Sequence, residues 1–229
     1  MPDKKTIVAM SDTHGRHHGL EVPDGDVLIH AGDFCRHGSR ADVNEFAEWF
    51  DAFPHRWKIV IAGNHDAALQ KYLGYSQIFR FFDSITYLHD TWTLLKGGPK
   101  IWGSPYTPPF QNWAFMLEEN GLARKFATIP DDVDVLVTHG PPAGVMDFTE
   151  IEQEYAGSHA LLARLEELTD FYTPPALIHI FGHIHECWGQ EQGEGYRAYN
   201  VAICDLKYNP IRPCTVIEWN VSEPIDPSV

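Results

Sequence analysis

Val27-Leu28-Ile29-His30-Ala31 runs directly into Gly32-Asp33-Phe34, and the reading of the whole chain starts from this passage. The first five residues are almost all apolar, as expected of a short strand buried on both faces. Gly32 lets the backbone turn sharply, and Asp33 then stands at the carboxyl end of that strand. The same order recurs four times. Thr6–Met10 precedes Ser11-Asp12-Thr13-His14-Gly15, and Lys58–Ala62 precedes Gly63-Asn64-His65-Asp66. Val133–Val137 precedes Thr138-His139-Gly140-Pro141-Pro142, and Leu177–Phe181 precedes Gly182-His183-Ile184-His185-Glu186. In open α/β sheets, ligands bind in the crevice beyond the strand carboxyl ends. Five strands would each bring Asp, His or Asn to that edge.

Further strands are expected at Ile85–Leu88, Thr93–Leu95, Lys100–Gly103, Tyr196–Val201 and Thr215–Trp219. Between them, Ala41–Phe53 carries Val43, Phe46, Ala47, Phe50 and Phe53 at helical spacing. A second helix is expected from about Ser158 to Asp170, with Leu161, Leu162, Leu165 and Leu168 as its apolar stripe and Ser158 as its cap. Strands alternating with helices give an α/β chain. Gly103–Phe115, rich in Pro and aromatics, reads as a long ordered loop, and Ser222–Val229 as a flexible tail. The 229 residues suit one domain, 1–229, large enough to bury about 70% of its unfolded surface.

The balance of 17 Lys and Arg against 32 Asp and Glu gives a net charge of −15, which argues against stable nucleic-acid binding through a basic face. No apolar run reaches the ~18 residues of a membrane-spanning helix, and the start of the chain has no secretory pattern. Four cysteines (Cys35, Cys187, Cys204 and Cys214) match no zinc motif, and such usage suits a reducing compartment, here the cytoplasm. Thirteen histidines stand out against this background. Those at the strand ends fit a metal centre. Two cations ~3.5–4 Å apart need a bridging carboxylate, while neutral imidazoles and an amide fill other positions. A nitrogen and oxygen set without thiolate suits Mn, Fe or Zn better than Mg or Ca.

The ordered set Asp12-x-His14, Gly32-Asp33, Gly63-Asn64-His65-Asp66, Thr138-His139-Gly140 and Gly182-His183-x-His185 resembles the calcineurin-like metallophosphoesterases. Trp102-Gly103-Ser104-Pro105 and the phrases around Asp33 and His183 are similar to the small metallophosphodiesterase branch of that superfamily. The resemblance implies two stacked mixed β-sheets flanked by helices, with a dimetal site on one edge. It also implies that Asp12, His14 and His185 hold one divalent ion, that Asn64, His139 and His183 hold the other, and that Asp33 bridges them. Manganese leads the expectation, with Fe, Zn, Ni or Mg as alternatives. His65 would be the catalytic histidine and Asp66 would orient or polarise it. Cys35 and Asn200-Val201-Ala202 depart from the usual pattern without removing a ligand.

The implied reaction is hydrolysis of a small phosphodiester, with cyclic or other nucleotides as candidates. A hydroxide bridging the two metals would attack in line, with His65 as general acid. Metal-bound histidines must be neutral, so activity should fall as pH drops through about 6. A phosphomonoesterase using the same ions is the alternative, and a non-enzymatic scaffold a third reading. His30 and His179, inside strands, are expected to pack. Arg16, His17, His18, Arg36 and His37 are candidates for a substrate phosphate, with solvated loop residues as the equal alternative. His55, His89 and His159 are expected at the surface. Trp102, Tyr106, Phe110, Trp113 and Phe115 offer either a platform for a base or plain packing.

Overall fold

The apolar runs pair into two sheets. In a computed structural model that describes residues 4–36, 38–72, 74–169 and 177–220, the first sheet contains β1 (Lys4–Met10), β2 (Val27–Ala31), β3 (Trp57–Ile61), β4 (Ile85–Tyr87) and β13 (Thr215–Asn220). Its order is β13-β1-β2-β3-β4, all parallel except β13, which closes the β1 edge in antiparallel register. The second sheet contains β5 (Thr91–Leu94), β6 (Lys100–Ser104), β7 (Val135–Thr138), β10 (Leu177–Phe181), β11 (Gly189–Gln192) and β12 (Tyr196–Asn200). Its order is β11-β12-β10-β7-β6-β5, with four parallel strands between two antiparallel edges. A separate two-stranded ribbon joins β8 (Phe148–Thr149) to β9 (Glu154–Tyr155). His37, Asp170 and the expected tail lie outside the described residues.

The two-residue period of the strands sorts their side chains into layers. Ile7, Ala9, Val27, Ile29, Ile59 and Ile61 meet Ile101, Val135, Val137, Ile178 and Ile180 in the core between the sheets. The alternate residues Val8, Met10, Leu28 and Val60 pack with Phe46 and Phe50 of α1 (Arg40–Asp51). On the far side Trp102, Leu136, Leu177 and Phe181 pack with Leu122 and Phe126 of α3 (Glu119–Phe126) and Leu161 and Leu165 of α4 (His159–Thr169). The result is two stacked mixed sheets flanked by helices. Each buried Ile or Leu in these layers contributes roughly 1.5–3 kcal/mol, and the filled interior fixes where the strands end.

Both expected helices form, and their caps account for their starts. Ser39 and Asp42 close a reciprocal capping box at α1. The Ser158 hydroxyl accepts from the Leu161 amide, while Glu119 accepts from the amides of His159 and Ala160. No described helix is long and apolar enough to cross a membrane. Short elements beyond those expected are α2 (Ala67–Lys71), α3, 3-10 turns at Tyr75–Phe81 and His185–Cys187, and the strands β8, β9 and β11.

Candidate metal centre

β1, β2, β3, β7 and β10 deliver their carboxyl ends to one edge of the sandwich, and the polar residues that follow meet there. Asp12, His14, Asp33, Asn64, His139 and His185 are all buried, at 8% exposure or less, and His183 is half-buried. His185 Nε2 lies 3.3 Å from Asp12 Oδ1 and 3.2 Å from His14 Nε2. His14 Nε2 lies 3.9 Å from Asp12 Oδ1 and 4.0 Å from Asp33 Oδ2. Across the site, His139 Nε2 lies 3.4 Å from Asp33 Oδ2 and 2.9 Å from Asn64 Oδ1. Asp33 therefore stands between two groups of donors, each drawn from both sheets. The His183 ring meets the His139 ring edge-on, with 5.0 Å between centroids.

The local backbone is bent to make this convergence. Asp12, His14, Asp33 and His183 all have φ between 45° and 69°, a region that side-chain-bearing residues seldom occupy. Such strain clusters at functional sites and persists only where surrounding contacts enforce it. Those contacts are present. The Asp66 carboxylate accepts from the backbone amides of Asp33, Gly63 and Cys35, so it ties the loops after β2 and β3 together. Asp12 Oδ2 accepts from Ser11 Oγ at 2.5 Å and from the His183 amide at 3.0 Å, which joins the loops after β1 and β10 across the two sheets. Asn200 donates from Nδ2 to the Ile184 carbonyl and braces the same loop. Two glycines leave no room for a side chain: a Cβ on Gly182 would collide with Ser11 Oγ and Asp12 Oδ2, and one on Gly63 with Asp33 Oδ1.

Whether these residues suit cations is decided by their lone pairs. His139 Nδ1 donates to the Ala31 carbonyl and His185 Nδ1 to the Asp205 carbonyl, which leaves each Nε2 facing inward. Asp12 Oδ1 is buried without a hydrogen-bond partner among the described residues. Carboxylate oxygens, an amide oxygen and imidazole nitrogens crowd together, and either protons or cations must relieve the crowding. Burial pulls the His139 imidazole down, but Asp33, by charge and hydrogen bond, outweighs it and raises the group to about 9. Burial likewise opposes ionisation of Asp33, yet His139 and His14 hold it well below the carboxylate range. A cation would answer the same charge that otherwise draws a proton. Asp12, His14 and His185 place ligand atoms within 4.8 Å of one another, as do Asp12, Asp33 and His139. The donor set fits divalent cations.

His65 stands at the mouth of this centre. Its ring stacks on Trp113 with centroids 4.3 Å apart and meets His14 edge-on at 4.6 Å. Its backbone amide, not its ring, donates to Asp33 Oδ1. Asp66 accepts from the backbone amides of Asp33, Cys35 and Gly63 and so positions the loops on either side of His65. Tyr208, which no motif marked, lies 4.5 Å from the His14 ring and 5.9 Å from that of His65. Among the aromatic candidates, Trp102 and Phe115 are core residues, and Phe110 and Trp113 reach the cavity. His55, expected at the surface, is buried, and His89 is half-buried.

A family model described as calcineurin-like phosphoesterase matches residues 5–187. The chain belongs to this family. It is 36% identical over 240 aligned residues to human metallophosphoesterase domain-containing protein 1, spanning 95% of this chain and 72% of that protein. One solved crystal structure superposes with a TM-score of 0.67 at 15% identity, covering 97% of this chain and 100% of its own. TT1561 of Thermus thermophilus superposes with a TM-score of 0.61 at 14% identity, covering 86% and 89%. Membership implies a metal-dependent phosphoester hydrolase that acts on a small phosphoester through a dimetal centre.

Proposed function

We propose that this chain hydrolyses small phosphodiesters, with Asp12, His14, Asp33 and His185 holding one divalent ion and Asp33, Asn64, His139 and His183 the other. The observation that carries the diester reading is the shape of the site, which opens on two sides of the His14 and His65 pair. One side is a cavity of about 380 Å³ lined by Arg16, Arg36, Trp113 and Tyr208. The other is a groove of about 510 Å³ that shares those two histidines, Trp113 and Tyr208 and extends past Phe110, Thr149, Ile151, Tyr155 and Leu206. A diester has two organic arms and can place one on each side. Glu152, Glu154 and Glu186 along the groove oppose a polyanionic arm, in keeping with small substrates. Trp113, Tyr208, Phe110 and Tyr155 offer the rings on which a base would stack.

Bound divalent ions would supply Lewis acidity and a water that ionises near neutral pH, and manganese suits these donors. The protein groups do the remainder. Asn64, His139 and the carboxylates fix the donor geometry, and Asp66 keeps the loops that carry them in register. His65, exposed to the cavity and held by Trp113, gives its proton to the leaving oxygen as the P–O bond breaks, so that an alkoxide departs as an alcohol. A monoesterase is the second reading. It is favoured by Arg16 and Arg36, exposed arginines that form no ion pair with a described residue and could hold a dianionic phosphate. The free cysteines keep the cytoplasm as the proposed compartment.

The test compares bis(p-nitrophenyl) phosphate with p-nitrophenyl phosphate on chelator-stripped protein restored with Mn²⁺. Faster diester cleavage is expected, and faster monoester cleavage would transfer the assignment to the second reading. His65→Gln should keep its metal and lose about 10²–10⁴-fold in rate on an alkyl diester, whose leaving group needs a proton. It should lose far less on a nitrophenyl diester. Equal losses on both esters would remove the general-acid role.

A further inference from the structure

Away from the candidate centre, two histidines and a glutamate converge without any part in the reaction. His17 and His18 close the loop that carries Asp12 and His14, and Glu45 lies on α1. His17 Nε2 is 3.1 Å from Glu45 Oε1, and His18 Nε2 contacts the same oxygen. The two imidazole rings are 4.8 Å apart, and the three ligand atoms lie within 4.8 Å of one another. We propose that His17, His18 and Glu45 form a third metal site, which binds one transition-metal ion of the Zn²⁺ type separately from the dimetal centre.

The residue types, placement and rigidity all favour a cation here. Two imidazoles and a carboxylate suit Zn²⁺, Co²⁺ or Ni²⁺ over the harder Ca²⁺ and Mg²⁺, and three protein ligands leave a position for water. His17 is buried and wedged between Trp49, 4.6 Å from its ring, and the edge of Phe46 at 5.6 Å. Its ring is fixed by packing before any ion arrives, so little freedom is lost on binding. Burial also lowers the proton affinity of His17, which favours the neutral form that a metal requires. His18 and Glu45 remain open to solvent, with side chains 67% and 45% exposed, and give the ion a path of entry. An ion held here would clamp the first ligand loop onto α1 and steady Asp12 and His14.

The experiment uses the chelator-stripped full chain loaded with Co²⁺, desalted, and analysed for bound metal and visible absorption. Wild type should retain one ion more than either Glu45→Gln or His18→Ala, and their apparent affinity for that ion should fall at least about tenfold. Asp33→Asn should lose the ions of the candidate centre and keep the outer one, so failure of the dimetal reading and failure of this site are separable. His18→Ala alters an exposed side chain and guards against a folding defect in the Glu45 variant. Equal metal content in wild type and both variants would overturn the site and leave a carboxylate hydrogen-bonded to two imidazoles. Loss of one and the same ion in Asp33→Asn and Glu45→Gln would also overturn it.

Discussion

His30 and His179 lie within strands, while His139 and His185 lie just beyond strand ends, and the same side chain meets opposite surroundings in the two places. In the interior, His30 Nε2 meets the Thr13 hydroxyl at 3.0 Å and His179 Nε2 meets that of Thr138 at 2.8 Å. Their Nδ1 atoms are buried without partners among the described residues, and burial pushes both imidazoles down to about 3. At the edge, burial acts in the same direction on His185, but the Asp12 carboxylate 3.3 Å from its Nε2 outweighs it and raises the group, as Asp33 does for His139. The interior thus excludes charge, and the edge collects negative charge that calls for a counterion. The edge itself is divided, because burial lowers His14 to about 4 and His183 to about 3, so what a histidine does in this fold depends on how closely Asp12 or Asp33 faces it.

The sharpest break of this contrast removes negative charge from the edge alone. Asp33→Asn keeps size and shape but deletes the carboxylate between the two donor groups. It should abolish retention of both ions at the candidate centre and lower turnover by more than about 100-fold, since loss of mere outer-shell support already costs 10–100-fold. Metal analysis and turnover on the same sample check this. Full retention of both ions would show that the edge does not depend on Asp33. The fold should survive, because the sheets below are apolar.

The reverse substitution spares the edge and damages the interior. Ile180, fully buried between the sheets, is two residues from the turn at Gly182. Ile180→Ala should cost about 2–5 kcal/mol of stability by removing buried methyl groups and leaving a cavity. Denaturant unfolding measures that loss. Turnover per folded, metal-loaded molecule should stay near wild type, and a fall as large as that of Asp33→Asn would mean that interior and edge are not separable.

The same contrast explains what could be read in the sequence. The ligand loops were legible because each follows a run of apolar residues and most sit beside a glycine, so strand and polar end are written contiguously. The two stacked sheets were legible only through the family resemblance, since strands buried on both faces, such as β2, show no alternation and by themselves indicate just an α/β chain. The role of Asp66 was not legible, since its partners are backbone amides, those of Asp33 and Cys35 among them, and amides carry no residue-type signal. Tyr208 reaches the site through an irregular segment after β12, with no period to trace. α3 was missed because it is short, contains Gly121 and buries only Leu122 and Phe126. β11, Gly-Gln-Glu-Gln, is a polar edge strand held by pairing with β12 and not by apolar burial. The aromatic loop was ambiguous because Phe115 and Trp113, two residues apart, face the core and the cavity respectively.

The smallest effect isolates the interior histidine itself. His179 holds its proton only below about 3 in the folded chain, against an ordinary value of 6.5. Between those limits the unfolded chain binds the extra proton, so stability falls as pH falls through that window, by up to about 1.4 kcal/mol per pH unit from this group. Above pH 7 the group is neutral in both states and contributes no slope. His179→Gln retains a donor toward Thr138 and cannot take up the proton. Its unfolding free energy should therefore decline less steeply than that of wild type between pH 6 and 4, by about that amount per unit, whatever fixed cost the lost ring imposes at pH 7. Urea unfolding across this range supplies the two slopes, and taking their difference cancels the shared titrations of the edge. Parallel slopes would mean that His179 accepts a proton in the folded chain, and the interior would then tolerate charge much as the edge does.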